Sequence, residues 1–176
     1  RNGCFIELQY TIVEPEVLGV SATSLPEVCE GEENGSIELT VTGGTAPFST
    51  RMHTETDFVQ DRLSISNLAG GEYIIFVMDA EGCEENVAIT VESGVNLSAL
   101  VEPVYGCNGD TPNNYVNIVL DDPSIADEVL FGVDSTDPND MQLNPFFRDL
   151  TPGTHYIAIS HANGCIITYD IEIEDF

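Results

Sequence analysis

The chain contains no lysine and no tryptophan, and its only basic residues are four arginines. The absence of lysine excludes lysine Schiff-base chemistry, the phosphate-binding lysine of a P-loop and a Lys–Asn isopeptide cross-link. Against the four arginines stand 31 acidic residues, which give a formal net charge of −27. Because such a surface repels nucleic acids and anionic membranes, neither is expected as a partner.

Two further absences concern membranes and catalysis. No apolar run approaches the roughly 18 residues of a membrane span, and no signal peptide opens the chain. The three histidines lie in no metal-binding helix motif, and no Gly-x-Ser-x-Gly elbow is present. We expect His155 to pack on a strand and His161 to be exposed in a turn. No catalytic residue is predicted, and enzyme activity is not expected.

A short motif ending in Gly-Cys recurs, and each copy is followed by a β-rich segment that closes on a glutamate. The cysteines and the closing glutamates are Cys4, Cys83 and Cys165, and Glu14, Glu92 and Glu174. The glutamates lie 78 and 82 residues apart, and a period of this size indicates tandem domains of one kind. We therefore predict that residues 1–15 are the last strand of a truncated preceding repeat, followed by modules at 16–93 and 94–176.

The five cysteines fit this period as two pairs and one remainder. Cys29 precedes Cys83 by 54 residues, and Cys107 precedes Cys165 by 58. Matching positions favour disulfides over zinc, whose ligands are clustered in sequence. We predict one bond inside each module, Cys29–Cys83 and Cys107–Cys165, with Cys4 left unpaired by truncation; buried free thiols are the alternative. Disulfides indicate an extracellular protein.

Strand patterns run through both modules. Residues 36–42 alternate, and a matching segment recurs in the second module. The inward positions are Ile37, Leu39 and Val41 in the first module and Val116, Ile118 and Leu120 in the second. Residues 73–78 are apolar on both faces, as in a central or doubly covered strand. Residues 121–128 are predicted to form a surface loop. We predict an all-β fold of tandem immunoglobulin-like β-sandwich modules, each with one intramodule disulfide.

These landmarks resemble the SprB-type repeat of surface adhesins from gliding Bacteroidota. The first module carries the cysteine at Cys29, the strand start at residues 34–37, the Gly-Gly turn at 42–48 and the closing segment at 68–83. The second module departs from this pattern. Asp-Asp-Pro replaces its Gly-Gly turn, and histidines replace the tyrosine and the aspartate of the closing segment.

The resemblance implies a non-catalytic stalk or spacer of a large secreted cell-surface adhesin, used for surface attachment or gliding motility. It also implies type IX secretion and anchoring in the outer membrane through parts of the protein outside this chain. The expected partners are neighbouring repeats of the same protein, and the distal surface ligand is not identified. No cofactor is required by this role.

Calcium binding is the rival chemistry, because calcium takes carboxylate and carbonyl oxygens from flexible loops. One loop offers the candidate ligands Asp134, Asp137 and Asp140. A second acidic group, residues 30–33 beside Asp79 and Glu81, would form only if a Cys29–Cys83 bridge brought the two loops together. Calcium is the one cofactor that this hypothesis requires.

Two rival functions are those of a glycan-binding β-sandwich module and of accessory β-domains of a secreted enzyme. The lack of tryptophan argues against an aromatic sugar platform. Ser135, in the sequence Asp-Ser-Thr, resembles the acceptor for O-glycosylation in Bacteroidota, and it is the candidate modification site.

Overall fold

The computed structural model of the chain describes residues 6–11, 16–109 and 111–175, and within them the fold is all-β. The strands are β1 Gly19–Leu25, β2 Gly35–Thr42, β3 Ser49–Met52, β4 Val59–Gln60, β5 Ser64–Leu68, β6 Gly71–Met78, β7 Glu84–Val91, β8 Ala99–Asn108, β9 Thr111–Leu120, β10 Val129–Val133, β11 Phe146–Arg148, β12 Gly153–His161 and β13 Ile166–Ile173. Two short 3-10 helices accompany them, η1 Pro123–Glu128 and η2 Pro138–Asp140. The predicted all-β class is confirmed.

Contacts divide the described chain into two compact units. The first comprises the described residues up to Thr23, together with Ile37–Ile65 and Glu72–Ile89. The second comprises Ser24–Ser36, Ser66–Gly71 and the described residues from Thr90 onward. The module boundaries at 15/16 and 93/94 stay a prediction, and most of the segment 1–15 lies outside the described residues.

In the first unit, one sheet has the strand order β4-β3-β6-β7. Ile75 and Val77 of β6 are fully buried, and Arg51 of β3 lays its guanidinium over the Phe76 ring at 4.0 Å from the centroid. Ile74, however, is 41% exposed. The strand is central in its sheet, as one of the two predicted alternatives requires. The other alternative, a strand covered on both faces, is wrong, because only the face of Ile75 and Val77 packs into a core.

An ion pair ties the loops of this unit. Arg62 and Glu55 form a bidentate pair, in which Arg62 Nη1 donates to Glu55 Oε1 at 2.6 Å. The hydrogen bonds from Arg62 lower the pKa of Glu55 to about 2. Thr50 is fully buried, and its hydroxyl donates to the Arg62 carbonyl at 2.7 Å. The buried hydroxyl beside the ion pair therefore has a hydrogen-bond partner.

A second sheet has the order β1-β2-β5. On β2 the predicted alternation is confirmed, since Ile37 and Leu39 are buried while Glu38 and Thr40 between and after them are exposed. The period of two places one face of the strand inward.

The second unit is a two-layer sandwich. Its sheets have the orders β11-β9-β8 and β10-β12-β13, and one buried cluster draws side chains from both. The cluster consists of Cys29, Leu97, Val116, Ile118, Val129, Phe131, Ile157, Ile159, Cys165, Ile171 and Ile173. Val116 and Ile118 thus occupy the predicted inward face. The segment 121–128 contains η1, none of whose residues is buried, in agreement with the predicted surface loop.

Candidate functional site

The cysteines that bond are Cys29 and Cys165, whose Cα atoms lie 5.1 Å apart although 136 residues separate them in sequence. Both are buried, and both belong to the cluster of the second unit. Cys83 and Cys107 are free and exposed. The predicted pairs Cys29–Cys83 and Cys107–Cys165 are therefore wrong, and Cys4 lies outside the described residues. The physical reason lies in the segment around Cys29.

That segment is held by a buried carboxylate. Glu27 is only 3% exposed, and its side chain accepts hydrogen bonds from the backbone N–H groups of Glu33 at 2.7 Å, Gly70 at 3.2 Å and Gly94 at 3.5 Å. The bond from Glu33 is the main cause that lowers the pKa of Glu27, and burial opposes it. Its own N–H donates to the Glu92 carbonyl at 3.0 Å. One carboxylate therefore joins three chain segments.

The segment that follows Glu27 pairs in parallel with the segment around Val95. Glu30 donates its N–H to the Val95 carbonyl at 3.1 Å, and Val95 donates to the Val28 carbonyl at 3.2 Å, which pairs Cys29 with Val95 in a parallel bridge. Gly94 allows this approach, since a Cβ built on it would overlap the Cys29 carbonyl group. The bond partner of Cys29 must therefore lie beside residue 95.

Cys165 occupies that place at the end of a tight turn. His161 donates its N–H to the Cys165 carbonyl at 2.8 Å, and Gly164 donates to the His161 carbonyl at 3.0 Å. Asn163 accepts the Cys165 N–H through Oδ1 at 3.0 Å and donates from Nδ2 to the Val28 carbonyl at 2.9 Å. The turn thus hydrogen-bonds directly to the segment that carries Cys29. We call Glu27–Glu30, Glu92–Val95 and Asn163–Cys165 together the cysteine junction.

The turn before Cys83 in the first unit has the same backbone pattern. Asp79 donates its N–H to the Cys83 carbonyl at 3.0 Å, and Gly82 donates to the Asp79 carbonyl at 3.1 Å. The buried Asp79 carboxylate accepts from the N–H groups of Thr45, Glu81 and Cys83. Although burial acts to raise it, these backbone hydrogen bonds hold the pKa of Asp79 below its usual value.

The calcium candidates are engaged with protein groups. The Asp134 carboxylate contacts His155, Asp137 caps η2 by accepting from the N–H of Asn139, and Asp140 accepts from the Ser135 hydroxyl. Among the described residues, no group of three acidic, histidine or cysteine side chains is placed to hold a metal ion. The second acidic group required a Cys29–Cys83 bridge, and Cys29 is bonded elsewhere.

Both histidines of the second unit are paired with acids. His155 Nδ1 lies 2.6 Å from Asp134 Oδ2, and Nε2 donates to the Thr151 carbonyl at 2.8 Å. These hydrogen bonds raise the pKa of His155 and lower that of Asp134. His161 was expected to be exposed, but its side chain is 13% exposed and its Nε2 lies 3.1 Å from Glu128 Oε2. The expectation fails because Glu128 precedes β10, the strand paired with β12.

The candidate glycosylation residue Ser135 is half-buried. Its oxygen accepts from the N–H of Asp137 at 3.1 Å and donates to Asp140 at 3.2 Å. Its modification stays a prediction. The residues that sequence reasoning missed are Glu27 and Asn163. Their only sequence signal is that each lies two positions before a cysteine.

Comparison with known proteins gives one family match. Residues 21–49, which include Cys29, match the family model of the SprB repeat. No curated protein matches the chain. Within the described residues, no helix combines the length and apolar character needed to cross a membrane.

Among solved structures, the chain is similar to SGBP-B of the mixed-linkage glucan utilization locus of Bacteroides ovatus, solved with a mixed-linkage heptasaccharide. The identity is 10%, the match covers 92% of this chain and 71% of that one, and the TM-score is 0.33. Two Parabacteroides merdae β-glucuronidase structures, one with glycerol in the active site, are each 12% identical over 92% of this chain. The matches cover 25% and 24% of those two chains, and the TM-scores are 0.28 and 0.30. The resemblance drawn from the cysteine, turn and strand landmarks is confirmed by the family match: residues 21–49 match the SprB repeat.

Proposed function

We propose that this chain is a non-catalytic stalk or spacer segment of a large secreted cell-surface adhesin. In this proposal, immunoglobulin-like β-sandwich modules at 16–93 and 94–176 are repeated along the protein. They hold a distal binding region away from the cell and carry mechanical load. The parent protein would serve surface attachment or gliding motility.

The observation that carries the proposal is the set of bonds that holds residues 92–95 in the cysteine junction. Glu27 hydrogen-bonds to Glu92 and Gly94, and Val95 hydrogen-bonds to Val28 and Glu30 on either side of Cys29. The disulfide fixes the Cys29 segment to Cys165. A flexible linker would leave these backbone groups to water. A spacer instead needs this segment to be ordered, and the hydrogen bonds and the disulfide supply that order.

The SprB match at residues 21–49 supports the cell-surface location. Type IX secretion, anchoring in the outer membrane and attachment to neighbouring repeats are parts of the proposal that follow from this family role. A disulfide also suits a protein outside the cytoplasm.

The absence of catalysis is supported by what the polar side chains do. His155 and His161 are each paired with a carboxylate, and the buried carboxylates of Glu27 and Asp79 accept backbone hydrogen bonds. The ion pairs and hydrogen bonds of these side chains stabilise the fold. A hydrolytic triad needs a histidine nitrogen that can take the proton of its nucleophile. Nε2 of His155 instead donates to the Thr151 carbonyl.

The test is to label living cells that make the parent protein with beads carrying antibody to this segment. We expect the beads to bind, and beads that travel along the cell would support a gliding adhesin over a static one. Antibody absorbed with purified chain is the control and should abolish binding. Failure of the beads to bind intact cells, with binding restored after lysis, would refute the surface location.

A further inference from the structure

The two bonded cysteines occupy different positions in the sequence repeat. Cys29 is the first cysteine of the first predicted module, and Cys165 is the Gly-Cys residue of the second. The bond therefore joins one sequence repeat to the next, and the rule is that the first cysteine of one repeat bonds the Gly-Cys cysteine of the following repeat. Applied to the remaining cysteines, the same rule pairs the first cysteine of the second module, Cys107, with a Gly-Cys residue one repeat further on. It pairs Cys83 with a first cysteine one repeat earlier.

The state of these two cysteines agrees with that rule. Cys29 and Cys165 are 5% and 0% exposed, whereas their repeat equivalents Cys107 and Cys83 are both exposed free thiols. The hairpin that presents Cys83 is already formed. Its turn has the hydrogen bonds of the Cys165 turn, and Gly82 and Gly164 have similar positive φ angles of 85° and 97°.

An open groove of about 320 Å³ lies beside Cys83, within the first unit. It is lined by the segment Glu16–Leu18, by Cys83 and by the first two residues of β7, Glu84 and Glu85. Counted from the closing glutamates, Val17 is the repeat equivalent of Val95, and Glu85 is the equivalent of Ile167. In the second unit, Val95 and Ile167 line a cavity together with Cys29 and Glu30. Val95 is half-buried there, whereas Val17 is 86% exposed.

The segment around Cys107 suits this groove. Five of the groove residues are acidic: Glu16, Asp79, Glu81, Glu84 and Glu85. Cys107 is flanked by Gly106 and Asn108, which carry no charge, where Cys29 is followed by Glu30. Three contacts of the cysteine junction differ at this groove. Glu16 stands at the position of Gly94, Tyr105 at that of Glu27, and Glu81, which cannot donate to a carbonyl, at that of Asn163. Because Glu16 carries a Cβ where Gly94 has none, the Cys107 segment must lie farther from residue 16 than Cys29 lies from Gly94.

We infer that the groove at Val17 and Cys83 binds the Cys107 segment of another repeat unit of this kind, and that a Cys107–Cys83 disulfide staples successive units. Formation of the bond removes one proton from each thiol and two electrons in all. A low-molecular-weight or enzyme disulfide accepts them and becomes a dithiol. This inference concerns the assembly of repeats, and it stands whether or not the parent protein is an adhesin.

The test is a tandem protein in which Glu174 of one full copy is followed directly by Pro15 of the next, which repeats the natural Glu14-Pro15 joint. The first copy carries C83A and the second carries C107A, so that one Cys107 and one Cys83 remain, in the arrangement that the rule requires. After oxidation with glutathione disulfide, we expect denatured, unreduced protein to show one free thiol, that of Cys4. Peptide mapping should recover a Cys107–Cys83 cross-link.

The matched control exchanges the two substitutions, so that the same cysteines stand at the outer ends of the tandem. It should show three free thiols, because Cys4, Cys83 and Cys107 all lack a partner. Three free thiols in the test protein, with Cys29–Cys165 bonds intact in both copies, would overturn the inference. So would equal cross-linking in test and control. Cell labelling is independent of this outcome, so the two proposals fail separately.

Discussion

Replacing both bonded cysteines by alanine should strongly destabilise the protein. The bond closes a loop across 136 residues, and the chain-entropy relation gives a loop of this size about 5 kcal/mol. Typical free energies of unfolding are about 5–15 kcal/mol, so this is a large share. Alanine keeps both buried positions apolar, and the loss of packing from two sulfur atoms adds to the effect without dominating it.

The measurement is equilibrium unfolding in guanidinium chloride of the chain and of C29A/C165A. The variant should unfold at lower denaturant, and its m-value should rise, because an unfolded chain without the cross-link exposes more surface. The matched control is C83A/C107A, which removes two exposed thiols. Its free energy of unfolding should stay within about 0.5 kcal/mol of the parent value.

Strong destabilisation of C83A/C107A would refute the reasoning. Bonds inside each predicted module would make both variants strongly destabilised, since each variant would remove one partner of each bond. A reductant offers a second check. It should lower the stability of the parent chain to that of C29A/C165A and leave the variant itself unchanged.

Three further predictions follow from the same contacts. In single-molecule force spectroscopy, the oxidised chain pulled from its two ends should gain no length from the residues between Cys29 and Cys165. Reduction should add roughly 450–490 Å of contour length for the 136 residues. H155N should destabilise the protein more at pH 5.5 than at pH 9. The folded pKa of His155 is raised, so its contribution is complete below its unfolded pKa and is lost as pH rises through the folded pKa; equal losses at both pH values in thermal melts would contradict this. G94A should cost about 1–3 kcal/mol, because its Cβ would overlap the Cys29 backbone, whereas G106A meets only the Asn113 side chain at 3.0 Å and should cost less in the same melts.

The strands of the fold could be predicted because their signal is local. Ile37 and Leu39 alternate with polar residues, and a period of two is enough to identify the buried face of β2. The extent of burial on a strand without polar positions could not be predicted. On β6 the run Ile74–Val77 is apolar throughout, and only the packing of neighbouring elements leaves Ile74 exposed.

The cysteine pairing could not be predicted because a repeat makes two solutions look alike. Cys29 could bond Cys83 or its equivalent one period later, Cys165, and both solutions preserve the repeat. The choice is made by contacts that have no pattern in the sequence. Gly94 permits close approach to Cys29, and Asn163 donates to the Val28 carbonyl.

The buried carboxylate at the junction was hidden for a different reason. Glu27 is one of 31 acidic residues, and in a chain of net charge −27 an acidic side chain is expected on the surface. What distinguishes it is a set of backbone donors supplied by residues 33, 70 and 94. Donors so far apart in sequence converge only after folding.

The position of the bond has a mechanical consequence that bonds inside modules would lack. Bonds Cys29–Cys83 and Cys107–Cys165 would leave residues 84–106 outside both loops, and tension would fall on the joint at 92–95. The bond Cys29–Cys165 encloses that joint. If Cys107 bonds the next unit, its loop begins before Cys165 and overlaps the first. Every joint of an array is then enclosed by a covalent loop.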